Sequence, residues 1–125
     1  MQLLDIDEEF LKSKGYTYQL VEEGDVGCLI IVGCALAPGK YDREAVDLLI
    51  CIPKGYNDAK LDNYYVDPAI RLKANDQYPQ SADYFEEHVK RKWQRFSRHM
   101  PTWRAGIDSL QSFLPLVHRE LQNKE

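Results

Sequence analysis

An eleven-residue run without a single charge, Val26 to Leu36 (VGCLIIVGCAL), limits the architectures open to this chain. Its β-branched residues favour extended backbone, and its unbroken apolar character predicts a central strand covered on both faces. It falls well short of the roughly 18 apolar residues of a membrane-crossing helix. Ala37-Pro38-Gly39-Lys40-Tyr41 breaks the run, and Glu44 to Ile52 (EAVDLLICI) supplies a second apolar strand, expected to be antiparallel to the first and stopped by Pro53. Upstream, Leu3 to Lys14 predicts a short helix with Leu4, Phe10 and Leu11 on one face and Gly15 as its C-terminal cap. Tyr16 to Val21 alternates like a half-buried strand, and Glu22-Glu23-Gly24-Asp25 predicts a turn.

The second half is less regular. From Pro53 to Tyr84, prolines, Gly55 and scattered Asn and Asp predict a loop-rich crossing with one short strand near Tyr64–Val66. Phe85 to Trp93 is read as a short helical turn. At the end, Ile107, Leu110, Leu114, Val117 and Leu121 form one apolar stripe at helical spacing. Asp108 suits the start of that helix, and Pro115 removes one of its hydrogen bonds or kinks it. The order predicts an α+β domain, an antiparallel β-meander packed by N- and C-terminal helices. At 125 residues the chain fits one domain, 1–125, with a core that needs neither disulfides nor metal.

The composition is that of an ordinary soluble protein, and its N-terminus does not read as a signal peptide, so a cytoplasmic location is expected. Cys28, Cys34 and Cys51 are odd in number and lack CxxC or Cys/His ligand spacing, so buried free thiols are expected rather than a disulfide framework or zinc site. His88 and His118 stand alone in the sequence and are expected at surface or satisfied positions. No calcium loop or phosphate-binding glycine motif is present.

Charge is unevenly placed. The net charge is −4, yet positions 88–104 hold Lys90, Arg91, Lys92, Arg95, Arg98 and Arg104 without one acidic residue, leaving about −10 on the remainder. Such a basic face would attract an acidic partner. Both tryptophans, Trp93 and Trp103, lie in the same region, with Phe96, Ser97 and His99 between them. This mixture of cations and aromatics has some character of a single-stranded nucleic-acid binder. The overall acidity argues against that, and a solvated basic face with both tryptophans packed on the core is the preferred plain explanation.

The punctuation Ile52-Pro53-Lys54-Gly55-Tyr56 after an apolar strand, and Trp103 before a helix, resemble the ubiquitin-conjugating enzyme superfamily. The segment Trp93-Gln94-Arg95-Phe96-Ser97-Arg98-His99, followed by Trp103-Arg104-Ala105-Gly106-Ile107-Asp108-Ser109-Leu110, resembles prokaryotic family E of that superfamily. The resemblance implies the superfamily's fold and a carrier or conjugating role in a bacterial ubiquitin-like protein pathway. It implies a ubiquitin-like protein and its activating enzyme as partners, expected to be encoded nearby, with no membrane partner. No cofactor is implied, since ATP is used by the activating enzyme. The chain departs from the superfamily pattern in having no His-Pro-Asn tripeptide and no cysteine after Cys51. Thioester chemistry at the usual position is excluded.

Two chemistries are then open. In the first, Ser97 accepts the acyl group as an oxyester, His99 two residues on takes its proton, and Arg98 or Arg95 steadies the developing oxyanion. In the second, the protein is a catalytically inactive binding module. Trp93, Arg95, Phe96, Trp103 and Arg104 then form the partner-binding surface, with tryptophan and arginine as anchors. Ser97 as a plain turn residue near Pro101 is the simplest alternative to a nucleophile.

Overall fold

The computed structural model describes residues 3–123. Helix α1 (Asp5–Ser13) precedes strands β1 (Tyr18–Glu23), β2 (Val26–Ala35), β3 (Ala45–Ile52), β4 (Tyr64–Asp67), β5 (Tyr84–His88) and β6 (Arg91–Phe96); helix α2 (Leu110–Gln122) follows. The strands form one sheet in the order β1-β2-β3-β4-β6-β5, all pairs antiparallel. The expected α+β architecture, with a helix from each end of the chain, is thus what forms.

β2 and β3 make the centre. Their register runs from Gly27 opposite Ile52 to Ala35 opposite Ala45, with a bulge between Ile31 and Cys34. Gly33 takes φ 68° there, and its amide donates to Asp47 Oδ1 at 3.1 Å. Strand alternation sends Leu29, Ile31, Leu48, Ile50, Tyr64, Val66 and Phe96 toward the helices. Leu11 of α1 and Leu110, Phe113, Leu114, Val117 and Leu121 of α2 complete this core. Burying each large aliphatic side chain contributes about 1.5–3 kcal/mol.

The opposite face carries a second cluster, Cys28, Ile30, Leu49, Tyr65 and Trp93, all buried although both helices lie elsewhere. The sheet itself curls over it. Glu23, the last residue of β1, reaches His88 at the end of β5: Oε1 lies 2.8 Å from Nδ1, and Oε2 accepts the Val89 amide at 2.6 Å. Two opposite edges of the sheet therefore meet across this face.

Phe85 to Trp93 is not helical. It is most of a hairpin, β5 and β6 joined by Val89-Lys90 at φ 52° and 59°. Hairpins of this kind usually announce themselves with Asn-Gly or Asp-Gly. Here left-handed backbone is imposed on a β-branched residue and a lysine, which is uncommon. Glu23 clasps it from outside the hairpin, and two contacts across it help, the Trp93 Nε1–H bond to His88 O at 2.9 Å and the Arg95–Glu86 ion pair at 3.0 Å.

Ile107 does not join the α2 stripe. It lies before the helix and is 65% exposed, while the other four stripe residues are buried. Ser109 is the N-cap, accepting the Gln111 amide at 3.2 Å. Asp108 accepts the Arg104 amide at 2.7 Å and the Ser112 hydroxyl at 3.0 Å. The Arg104 guanidinium first, and then these contacts, pull its carboxyl down to about 2, from 3.8 in an unperturbed chain. A depressed acid stabilises the fold above the unfolded value and loses that contribution as pH falls. Wild-type thermal stability is therefore expected to drop between about pH 4 and pH 2 by more than that of Asp108→Asn; equal acid slopes would refute this. α2 runs on through Pro115.

Asp7, in the first turn of α1, is fully buried. Tyr56 OH donates to its Oδ2 at 2.6 Å and in turn accepts the Leu110 amide at 2.8 Å, joining both helices through one phenol. Oδ1 has no partner, and burial raises the Asp7 pKa against the hydrogen bonds that lower it. Here the sign is reversed: stability is fullest below the unfolded value and falls as pH rises through the folded one. Asp7→Asn, which keeps an acceptor for Tyr56, is expected to melt higher than wild type at neutral pH, with the gap closing in mild acid. A variant that melts lower at neutrality would contradict this.

Candidate functional site

β6 ends at Phe96, and the chain leaves the sheet as Ser97, Arg98 and His99. Each of the three is engaged differently. The Arg98 fork grips Glu120 of α2, Nε to Oε1 at 2.8 Å and Nη2 to Oε2 at 2.7 Å. Tyr64 OH donates to the same Oε1 at 2.6 Å, while Tyr41 OH and Lys40 Nζ donate to the Glu120 carbonyl at 3.1 and 2.5 Å. Arg98 is thus a brace between sheet and helix. Burial works against its charge, but the Glu120 contacts more than offset that and raise its pKa.

Ser97 is half-buried. Its amide donates to Ser81 O at 3.0 Å, and its carbonyl accepts from Arg98 Nη1 at 2.8 Å. It lines a shallow hollow with Ser81, Tyr41, Arg98 and Glu120. His99 opens on a neighbouring hollow with Pro101, Phe113 and Leu116. Its Nδ1 is hydrogen-bonded to Asp62, not to Ser97, and its side chain is 61% exposed. The serine and its intended base therefore face separate depressions with Arg98 between them.

The basic segment is not a free cationic face. Arg91 pairs with Asp47 and Asp67, Arg95 with Glu86, Arg98 with Glu120, and Arg104 with Asp108. Acids distant in sequence or beyond the segment's end neutralise its arginines. Trp93 and Phe96 are both fully buried, so neither offers a ring to a partner; Phe96 stacks on Tyr64 with centroids 4.8 Å apart. Arg95 is half-buried, with its guanidinium 4.2 Å from the ring centre of exposed Tyr84.

Lys90, Lys92 and the loop after His99 remain at the surface. Trp103 is half-buried, tilted against Tyr56, its Nε1–H donating to Asn57 O at 3.0 Å. Arg104 and Ile107 are exposed. Asn57 ties the loop down, accepting the Gly106 amide at 3.1 Å and donating Nδ2–H to Asp108 O at 2.9 Å. Asp62, Glu120 and Asn57 were invisible as site residues, because their partners lie tens of residues away.

A curled antiparallel sheet, with one helix from each end of the chain on a single face and a tryptophan loop before the second, defines a ubiquitin-conjugating-like domain. The family model of prokaryotic E2 family E matches residues 3–124, and the chain belongs to that family. Membership carries a conjugating-enzyme-like role and, in general terms, interaction with a ubiquitin-like protein and its activating enzyme. No curated protein and no solved structure gives a significant match. Among the described residues no helix is long and apolar enough to cross a membrane.

Proposed function

We propose that the protein is the E2-like component of a ubiquitin-like protein modification pathway, and that it holds its ubiquitin-like partner non-covalently through the loop from His99 to Ile107. One observation carries the choice of non-covalent binding: Ser97 and His99 line separate hollows with Arg98 between them, and Arg98 is itself held by Glu120. A serine without a base is a weak nucleophile. The loop, by contrast, is braced by Asn57 and Asp108 and presents exposed Ile107 beside half-buried Trp103, with the solvent-facing Arg104 held in place by Asp108. Preorganised aromatic and arginine anchors of this kind carry much of the energy in protein interfaces.

The oxyester reading keeps one specific point in its favour. His99 carries a carboxylate partner, the arrangement that orients an imidazole for proton transfer, and only two residues separate it from Ser97. Intact mass spectrometry with the cognate activating enzyme, ubiquitin-like protein and ATP separates the two. The expected result is no covalent adduct, with binding unchanged in Ser97→Ala and weakened about tenfold or more in Ile107→Asp. An adduct that survives thiol reductant, breaks in hydroxylamine and vanishes in Ser97→Ala would overturn the non-covalent reading and establish the oxyester.

A further inference from the structure

Cys28 and Cys51 stand directly opposite one another on β2 and β3, on the face that lacks helices. His88, from the far edge of the sheet, comes over them through the Glu23 clasp. The two sulfurs and a ring nitrogen all lie within 4.8 Å of one another. From these positions we propose a zinc-binding site made by the Sγ atoms of Cys28 and Cys51 and an imidazole nitrogen of His88.

The donor set favours zinc. Two thiolates and an imidazole are soft to intermediate ligands, a combination zinc takes in tetrahedral sites. Bond lengths of about 2.3 Å to sulfur and about 2.05 Å to nitrogen place neighbouring donors about 3.4–3.8 Å apart. From separations of at most 4.8 Å, the three donors need close by no more than about 1.0–1.4 Å. Two thiolates cancel the ion's charge, which suits a site among Ile30, Leu49, Tyr65 and Trp93.

The histidine is prepared for the task from either side. Nδ1 lies 2.8 Å from Glu23 Oε1 and Nε2 lies 3.1 Å from Glu86 Oε1. Whichever nitrogen turns to the metal, the other keeps a carboxylate that fixes the ring and raises its basicity. The displaced glutamate is then placed to approach the fourth position. A thiol coordinates as its thiolate, so binding releases a proton from each sulfur, and affinity should rise with pH. Cys51 and His88 are only half-buried, which gives the ion access. A metal here would pin β2, β3 and the β5–β6 turn together where no helix does so.

The test is a cobalt titration of the full chain, reduced and stripped with chelator, followed by displacement with zinc. One equivalent of cobalt should bring up sulfur-to-cobalt charge transfer, which zinc abolishes. Cys28→Ser and Cys51→Ser should lose the band, His88→Gln should bind at least tenfold more weakly, and Cys34→Ala, altered in the helix-side core, should retain it. If a serine variant fails to fold, alkylation of the wild type decides the matter: zinc should shield Cys51 from iodoacetamide. No thiolate band in the folded reduced protein, a band indifferent to Cys28 and Cys51, or alkylation unaffected by zinc would each overturn the site.

Discussion

Glu120→Ala is expected to lose about 3 kcal/mol of stability, the lower end of what breaking a buried charge pair costs, because both side chains retain about a quarter of their exposure. For a domain of this size that lowers the melting midpoint by roughly 10–15 °C. The reason is the number of groups left behind. The Arg98 fork loses both acceptors and Tyr64, almost wholly buried, loses the partner of its hydroxyl. Glu120→Gln keeps the shape and one acceptor, so its cost should be smaller, about 1–2 kcal/mol. Equilibrium urea unfolding of the three proteins gives the comparison. A loss under about 1 kcal/mol in the alanine variant would mean that Arg98 is not a brace but a movable cation, and would restore it as a candidate for oxyanion stabilisation.

Trp93→Ala should cost about 3–5 kcal/mol, the range for removing a large aromatic from a closed core. Its indole fills the helix-free face, bonds to His88 O, and takes the Arg91 guanidinium 4.4 Å from its ring centre. Trp93→Phe keeps most of the volume but abandons the His88 carbonyl, so a loss of about 1–2 kcal/mol is expected. The contrast with an interface role is sharp. An anchor would be replaceable at little cost in stability and would fail only in binding. Unchanged denaturation of Trp93→Ala, with partner binding abolished, would refute the core assignment.

How much of this was legible in the sequence follows from where the information sits. Val26–Leu36 and Glu44–Ile52 declared β2 and β3 because buried central strands need continuous apolar residues, and α2 declared itself by its stripe. The β5–β6 hairpin did not. Its alternation is built from Glu, His, Arg and Lys, its turn lacks the usual residues, and the contacts that hold it come from Glu23 and from its own cross-strand pairs. Charge misled for the same reason. A stretch with no acid in sequence is supplied in space by Asp47, Asp67, Glu86 and Glu120. The family motif maps onto the exit from β6, with Ser97, His99 and Trp103 following Phe96 in the chain. Which of its aromatics faced inward depended on strand parity at Trp93 and Phe96, and that needed the hairpin first.

The contact of Glu23 with His88 and Val89 closes a loop of 65 residues between the clasp partners. Contacts so distant along the chain bring their reward only after intervening chain has been ordered, and they slow folding. The β1–β2 and β2–β3 hairpins can form from local segments, but the clasp cannot close until the later hairpin has docked beyond β4. The Val89 amide is therefore a reporter of completed topology: during refolding it gains protection from solvent exchange only when both ends of the sheet have found one another.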